Sequence, residues 1–407
     1  MSRWIVFIAA LLLIEFYCFQ AVRTSFENKW VRRIYLLISV LVAVFILVSF
    51  LKFDRSIGLG KWEMTVIAVL LLVYIPKLIV GIFLLIEDVF RIIFGAFGYF
   101  VKQGEGGSFL PERRAFISRS ALALAAIPFG VMIYGIWKGR YNYKVLKSTL
   151  YFDDLPDEFD GFTILQLSDI HCGSFDNYEK IKAGIDLINE QEFDLLVFTG
   201  DLVNSKADEM NGWEDLLGAV RKPEFGKFSV LGNHDYGDYI DWPTKADRDN
   251  NLAAVKGLHP KIGFDLLLNE NRVISKGNSS IRLVGVENWG KGRFQKYGDL
   301  YKAAAGVKED EFKVLLTHDP SHWDEKVQNN PFHYHLTLSG HTHGMQFGIE
   351  IPGFKWSPSK YMYPHWAGLY ENVGRYLYVN RGFGYLAFPG RVGIWPEITL
   401  LELKKKV

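Results

Sequence analysis

The 407-residue chain has 46 basic and 45 acidic side chains, which gives a formal net charge of +1 at pH 7. This balance offers no whole-chain argument for binding nucleic acid or a strongly acidic partner. Hydrophobic residues make up 49% of the chain, and they are concentrated in the first 140 residues. The two cysteines, Cys18 and Cys172, lie far apart and imply no disulfide framework.

The N-terminal region contains four apolar segments close to the length that crosses a bilayer, which is about 20 residues. The segments are 4–19, 34–51, about 65–86 and 121–137. Glu15 and Lys77 lie inside two of them, and such charges are tolerable if they face other helices or reach an interface. The apolar character continues through 89–101, which either extends the third helix or lies along the membrane surface.

The fourth segment follows "PERRAFISRS", residues 111–120, which contains the pair Arg113 and Arg114. Paired arginines before a small-residue apolar run are similar to a degraded twin-arginine export signal. The alternative is a plain transmembrane helix with basic flanks. Both interpretations place these arginines on the cytoplasmic side.

The distribution of Lys and Arg between the connecting loops predicts the topology. The first and third loops together carry nine such residues, whereas the second carries three, Lys52, Arg55 and Lys61. With four spans, the C-terminal domain then lies outside the cytoplasm, and a fifth span would reverse this. We expect a multi-span region over 1–110, a basic segment with the last transmembrane helix over 111–140, and a soluble domain over 141–407.

The soluble part contains short apolar runs that each end in polar residues or glycine. The clearest are "FTILQLSD", "FDLLVFTGD", "KFSVLGNHD", "FKVLLTHD" and "HLTLSGHTH". Continuous runs of this kind are typical of strands buried on both faces of a layered α/β fold. Between the first two runs, "NYEKIKAGIDLINEQ" has apolar residues at helical spacing.

Five of these strands end in Asp, Asn or His, and loops at the carboxyl ends of strands are where α/β sheets bind ligands. Each cluster alone has an ordinary interpretation as a turn, a helix cap or a core histidine. Together they offer carboxylate, amide and imidazole ligands without thiolate, which suit Mn, Fe or Zn. Seven such ligands suit two ions about 3.5–4 Å apart, bridged by one carboxylate, for which Asp201 on the middle strand is the candidate.

The ordered series "SDIH", "GDLV", "GNHD", "THDP" and "GHTH" resembles the calcineurin-like metallophosphoesterase superfamily over about residues 145 to 403. The motifs "GHTHGMQFGIEIPG", "VNRGFG" and "PGRVGIWPEI" are similar to its membrane-associated bacterial branch, with YkuE-like and UDP-diacylglucosamine pyrophosphatase-like members. That branch usually has a second glycine after the last histidine, where this chain has Met345.

The resemblance implies an α/β fold, a four-layer αββα sandwich, preceded here by the transmembrane helices. It implies two divalent metal ions and a role for each motif residue. One ion would be held by Asp169, His171 and His343, the other by Asn233, His318 and His341, with Asp201 as the bridge. His234 would contact the scissile phosphate and protonate the leaving oxygen, Asp235 would orient His234, and a bridging hydroxide would attack.

Arg381 and Arg391 lie in the glycine-rich C-terminal motifs and are candidates for binding substrate phosphate, because arginine binds phosphate with two parallel hydrogen bonds. The leading hypothesis is a membrane-anchored phosphohydrolase of a bacterial inner membrane, with an extracytoplasmic site and a phosphate-ester substrate that is lipid-borne. The alternatives are a cytoplasm-facing UDP-diacylglucosamine-type pyrophosphatase and a non-catalytic binding module. Non-catalytic modules of this kind tend to lose metal-ligand residues, which this chain retains. Neither a nucleic acid nor a protein partner is expected.

Overall fold

The computed structural model describes residues 2–101, 111–292 and 294–406. The chain forms two compact units. The first comprises Met1–Phe53 and Thr65–Tyr134, and the second comprises Asp54–Met64 and Gly135–Val407. The loop that follows the second helix thus belongs to the same unit as the soluble domain.

The first unit is built from four helices. They are α1 (Ser2–Ser25), α2 (Lys29–Leu51), α3 (Lys61–Val101) and α4 (Pro111–Trp137). Within the described residues, three stretches are long and apolar enough to cross a membrane, at Lys29–Leu51, Lys61–Phe97 and Glu112–Tyr141. The apolar stretch 89–101 continues α3 rather than forming a separate element, and four spans remain a prediction.

Charged side chains inside the first unit pair with each other. Lys77 Nζ on α3 lies 2.5 Å from Glu15 Oε1 on α1 and 2.9 Å from Ser39 Oγ on α2. Arg114 on α4 contacts Glu87 and lies 2.8 Å from Asp88 Oδ1, both on α3. The internal charges therefore face other helices, as expected for segments in which an unpaired charge would be costly.

The second unit contains two six-stranded sheets. In the first sheet the order is β1-β14-β2-β3-β4-β5, and in the second it is β12-β13-β9-β8-β7-β6. The strands are β1 (Lys144–Phe152), β2 (Phe162–Leu167), β3 (Leu195–Phe198), β4 (Lys227–Ser229), β5 (Asp265–Leu266), β6 (Glu270–Lys276), β7 (Ser279–Gly285), β8 (Lys313–Leu316), β9 (Leu336–Ser339), β10 (Ile349–Ile351), β11 (Phe354–Trp356), β12 (Gly368–Asn372), β13 (Arg375–Val379) and β14 (Glu397–Lys405).

The two sheets pack face to face, with helices outside them. Ile164 and Val197 of the first sheet share a buried cluster with Val314 and Leu336 of the second. On its outer face, the first sheet packs against three helices, α5 (Tyr178–Asn189), α6 (Glu214–Gly218) and α7 (Lys245–Lys261). The outer face of the second sheet packs near α8 (Leu300–Ala303). Because both faces of each sheet are covered, the central strands β3, β8 and β9 are buried along their whole length. The predicted four-layer αββα sandwich is confirmed.

The Lys77–Glu15 ion pair gives a prediction about the first unit. Substituting Lys77→Met leaves the Glu15 carboxylate unpaired, so we expect the free energy of unfolding to fall by about 3 kcal/mol. Thermal unfolding of the full chain in detergent measures this. The double variant Glu15→Gln/Lys77→Met removes both charges and should recover most of the loss; a single variant as stable as the parent would contradict the prediction.

Candidate metal centre

The carboxyl ends of β2, β3, β4, β8 and β9 meet at one edge of the sandwich. Each is followed at once by predicted site residues, so strands from both sheets deliver side chains to the same place. Below that place Gln166 Nε2 of β2 donates to the Ser339 carbonyl of β9 over 2.8 Å, which ties the sheets together. All seven predicted ligands and His234 lie in these loops.

One group of side chains joins the loops after β2 and β9. Asp169 Oδ1 lies 3.2 Å from His343 Nε2, and His171 Nε2 lies 3.1 Å from the same nitrogen. Asp169 and His171 are fully buried, and His343 is 6% exposed. The ligand atoms of these three residues all lie within 4.8 Å of one another.

A second group joins the loops after β4, β8 and β9. Asn233 Oδ1 lies 3.0 Å from His318 Nε2 and 2.7 Å from His341 Nδ1, and these two nitrogens are 3.2 Å apart. Asp201 Oδ2 lies 3.2 Å from His318 Nε2 and 3.5 Å from His171 Nε2 of the first group. One carboxylate oxygen therefore lies between the two groups.

The donor atoms fit two cations. The Nδ1 atom of His318 donates to the Thr199 carbonyl over 2.7 Å, which leaves the lone pair of the neutral ring on Nε2, facing the site. Where lone pairs of imidazole, amide and carboxylate groups converge at about 3 Å, a proton or a cation is needed between them. Two groups of oxygen and nitrogen donors with no thiolate suit divalent Mn, Fe or Zn.

The electrostatics of the site are dominated by Asp201. Burial raises the pKa of this carboxyl, but His318 and His234 outweigh burial and hold the pKa well below its usual range. Burial likewise lowers the pKa of His318, yet the carboxylates of Asp201 and Asp169 raise it to about 10. The buried negative charge thus requires a compensating positive charge, which a proton on His318 or a metal ion supplies.

Several of the candidate ligands adopt an uncommon backbone conformation. Asp169, His171, Asp201, His341 and His343 have φ between 48° and 71°, in the left-handed region that non-glycine residues rarely occupy. Gly340 allows the β9 loop to approach closely, because a Cβ there would lie 1.9 Å from Ser168 Oγ. Met345 has φ of 48°, so it occupies a position that suits the glycine of the resembled branch.

His234 is half-buried beside the first group, with its ring centroid 5.0 Å from that of His171. Its Nδ1 donates to the Asn204 carbonyl over 2.8 Å, which leaves Nε2 free of that bond. Its backbone N–H donates to Asp201 Oδ1 over 2.8 Å. Burial lowers the pKa of the ring, so the free imidazole is mainly neutral near pH 7.

Asp235 does not orient the His234 ring, contrary to expectation. Its oxygens accept backbone N–H groups of Asp201, Leu202 and Gly232 at 2.9, 2.8 and 2.8 Å. It therefore fixes the loops after β3 and β4, and the Asn204 carbonyl orients the ring instead. The reason is geometric: a short carboxylate directly after His234 lies within reach of the amides beneath it.

Arg381 and Arg391 lie under the site and not in an open cleft. Arg391 is fully buried, and its guanidinium donates to the carbonyls of Gly384, Arg381 and Gly382. Arg381, 4% exposed, pairs with Glu397 and Glu350, each at 2.6 Å. Carboxylates and carbonyls bind most of their donors, Arg391 Nη2 also lies 3.1 Å from His343 Nδ1, and the remaining Arg391 Nη1 is buried. This geometry therefore does not support the expectation that they bind substrate phosphate.

Four further residues near the site, Tyr363, Asp319, Tyr239 and Asn204, were not among the predicted site residues. Tyr363 Oη lies 2.8 Å from His341 Nε2, and Asp319 Oδ2 lies 3.4 Å from the same nitrogen. Asn233 Nδ2 donates to Tyr239 Oη over 2.7 Å. Asn204 is the fourth. Only Asp319 had a sequence signal for a place near the site, since it directly follows His318. The other three lie in loops whose course the sequence does not predict.

Comparisons with known proteins agree with this geometry. Residues 162–345 match the family model described as "Calcineurin-like phosphoesterase", and residues 2–140 match "Probable Calcineurin-like phosphoesterase, transmembrane domain". The chain is 31% identical to the "Uncharacterized metallophosphoesterase YkuE" of Bacillus subtilis, over 72% of this chain and 98% of that protein. It is 28% identical to "Phosphodiesterase YaeI" of Escherichia coli, over 72% of this chain and 99% of that protein.

A vertebrate relative also combines the two parts. The "Transmembrane protein with metallophosphoesterase domain" of Danio rerio is 29% identical, over 70% of this chain and 62% of that protein. The chain belongs to the calcineurin-like metallophosphoesterase family. It is a membrane-associated phosphoesterase, a hydrolase, with two groups of candidate metal ligands.

The shared position of Asp201 predicts the metal content. We expect the full chain in detergent to bind two equivalents of Mn²⁺, and Asp201→Asn to weaken binding of at least one ion by 10-fold or more, because the amide removes the charge both groups face. Equilibrium dialysis with elemental analysis measures this. The exposed Asp310→Asn is the matched control, and unchanged binding by Asp201→Asn would contradict the shared position.

Proposed function

We propose that this protein is a two-metal phosphohydrolase that cleaves phosphomonoester or phosphodiester bonds by direct attack of water. The observation that carries this proposal is Asp201 Oδ2, which lies 3.2 Å from one imidazole group and 3.5 Å from the other. A carboxylate shared in this way suits two ions at the separation used for in-line displacement at phosphorus. Asp169, His171 and His343 would hold one ion, and Asn233, His318 and His341 the other.

Two divalent cations at these positions would neutralise the phosphate oxygens and acidify the attacking water. His234 would contact the phosphate and the leaving oxygen through Nε2, because its Nδ1 is held by the Asn204 carbonyl. Although burial lowers the pKa of the free ring, a bound phosphate anion would raise it and so favour the protonated form. Asp235 would act indirectly, by holding the loop that carries Asp201.

The surroundings of the site favour a substrate with an apolar or aromatic group beside the phosphate. A cavity of about 220 Å³ next to the second ligand group is lined by Asn233, Asp238, Tyr239, Phe294 and Gln295. The Phe294 ring lies edge-on to His341, with centroids 5.1 Å apart. A phosphodiester has groups on both sides of phosphorus, and the Escherichia coli relative is named a phosphodiesterase.

Activity assays test this proposal. We expect Mn²⁺-dependent hydrolysis of bis-p-nitrophenyl phosphate or p-nitrophenyl phosphate by the full chain in detergent. His234→Gln should lower kcat by about 10²–10⁴-fold while both metal equivalents remain bound, because general-acid help contributes that much. Asp201→Ala and His343→Ala should abolish turnover.

His333→Gln serves as the control, since that histidine packs beside His335 and outside both ligand groups. Full activity in the Asp201→Ala variant would end the two-metal account. Loss of bound metal from His234→Gln would show that this histidine acts through the ligands and not on the substrate.

An extracytoplasmic site in a bacterial inner membrane is our proposal for location. The loop between α2 and α3 belongs to the same unit as the phosphoesterase domain. Two hydrogen bonds join them: Asp241 N donates to the Arg55 carbonyl over 3.3 Å, and Asn204 Nδ2 donates to the Leu59 carbonyl over 3.4 Å. This contact supports a shared side of the membrane for both. That loop carries three basic residues against nine in the other two loops, which favours the outside.

A reporter fused to the C-terminus tests the location. Alkaline phosphatase is active only after export, so we expect an active fusion at the C-terminus and in the 54–60 loop, and an inactive one in the loop near Glu27. A green fluorescent protein fusion should show the reverse pattern. Fluorescence from the C-terminal fusion would instead favour the cytoplasm-facing pyrophosphatase that acts on a nucleotide lipid.

A further inference from the structure

A two-stranded hairpin follows the last metal-ligand loop. Strands β10 and β11 pair antiparallel, with Ile349 opposite Trp356, Glu350 opposite Lys355, and Ile351 opposite Phe354. The hairpin begins six residues after His343, and a turn at 352–353 joins its strands. It therefore lies beside the metal centre and outside both six-stranded sheets.

The two faces of this hairpin have inverted polarity. Directly opposed residues of an antiparallel pair lie on the same face, and alternate residues of one strand also share a face. Ile349, Ile351, Phe354 and Trp356 therefore form one face, while Glu350 and Lys355 form the other. In a water-exposed hairpin the apolar face is expected to pack on the protein and the charged face to meet solvent.

Glu350 and Lys355 keep exposed side chains, but the charged ends of both bond to the protein. Glu350 pairs with the buried Arg381, with oxygen–nitrogen distances of 2.6 and 3.0 Å. Lys355 Nζ donates to the Ala367 carbonyl and lies 4.9 Å from the centroid of the Trp366 ring. These bonds fix which face points inward, because reversing the hairpin would leave Arg381 without one of its two carboxylate partners.

The apolar face is consequently left outside. Ile349, Ile351 and Phe354 are 50%, 59% and 53% exposed. Close by in the chain, Tyr361 and Met362 are 72% and 64% exposed. Trp356, the fourth residue of this face, is half-buried, so its exposed part consists of Ile349, Ile351 and Phe354. Single exposed apolar residues are common, but three neighbouring ones on a bonded hairpin mark a surface that contacts another apolar phase.

The hairpin is continuous with the end of the last membrane helix. Val392 N donates to the Gln346 carbonyl over 2.7 Å, and Gly348 N donates to the Val392 carbonyl over 2.9 Å, so this segment is bonded to the residues that enter the hairpin. Arg391 N donates to the Gly135 carbonyl in the last turn of α4, over 3.2 Å. A Cβ on Gly135 would lie 2.7 Å from Val392 Cγ2.

This continuity identifies what covers the apolar face. One residue, Val392, separates the base of the hairpin from Gly135, so the hairpin starts close to the end of α4. Trp137, the last residue of α4, is 76% exposed, and tryptophan is enriched at the membrane–water interface. The occupant that these contacts favour is the bilayer that α4 enters, rather than a second protein.

We propose that the apolar face of the 349–356 hairpin lies in the interfacial region of the bilayer and holds the metal centre at headgroup level. Immersion of two isoleucines and a phenylalanine removes their apolar surface from water, which is the driving force for interfacial binding. The exposed Tyr361 and Met362 directly precede Tyr363 in the chain, and the Tyr363 hydroxyl lies 2.8 Å from the His341 ring. A phosphate at headgroup depth would then reach the site without leaving the membrane.

Depth-dependent quenching on the full chain in lipid nanodiscs tests this placement. Ile351→Cys and Phe354→Cys would each be labelled with the fluorophore NBD; the native Cys18 and Cys172 are buried. The control is Val373→Cys, which is 85% exposed and lies between β12 and β13. We expect spin labels on the lipid headgroup and upper acyl chain to quench positions 351 and 354 at least twofold more than position 373.

Aqueous iodide should show the opposite order of quenching. Equal lipid quenching at the three positions would overturn the proposal, as would protection from iodide without lipid quenching, which would indicate a protein partner or a second copy. Two bound Mn²⁺ equivalents in each labelled variant would show that the adjacent site is still folded. This measurement does not depend on turnover, so it stands apart from the test of the proposed activity.

Discussion

The rest of the site depends on one buried carboxylate that several loops share. Asp201 Oδ1 accepts the backbone N–H of His234, and its Oδ2 faces imidazoles from the loops after β2 and β8. A buried charge is stable only when it is paired and hydrogen-bonded, so these loops must close around it. Asp235 holds the same loop from beneath by accepting its backbone N–H groups. One negative charge thus fixes the positions of His234 and of both groups of candidate ligands.

The close convergence of these loops also explains their backbone. Candidate ligands from five strand ends can point at a common centre only if the chain turns sharply after the strands, and after β2, β3 and β9 left-handed residues make that turn. Such conformations cost of order 1–3 kcal/mol each unless the surroundings impose them. The bonds between the sheets, including that from Gln166 to Ser339, impose them here. Met345 shows that even a long side chain is accepted in this run, since its side chain reaches the surface.

Much of this arrangement was predictable from local sequence, and the remainder depends on long-range contacts. Apolar runs that end in Asp or His predicted both the buried strands and the residues that meet at their ends. The insertion of β14 between β1 and β2 was not predictable, because its pairing partners lie more than 200 residues away. The same limit applies to Arg381: its role depends on Glu350 and Glu397, whose approach only the fold determines. The ion pair between Glu350 and Arg381 also determines which face of the hairpin points outward.

Asn204 connects the loop between α2 and α3 to the candidate site. Its carbonyl holds the His234 ring over 2.8 Å, and its side-chain amide reaches the Leu59 carbonyl in the loop between α2 and α3 over 3.4 Å. Two hydrogen bonds through a single residue therefore connect the loop between α2 and α3 to the His234 ring. The loop between α2 and α3 therefore does more than connect two helices. Its conformation helps to set the orientation of the His234 ring through Asn204.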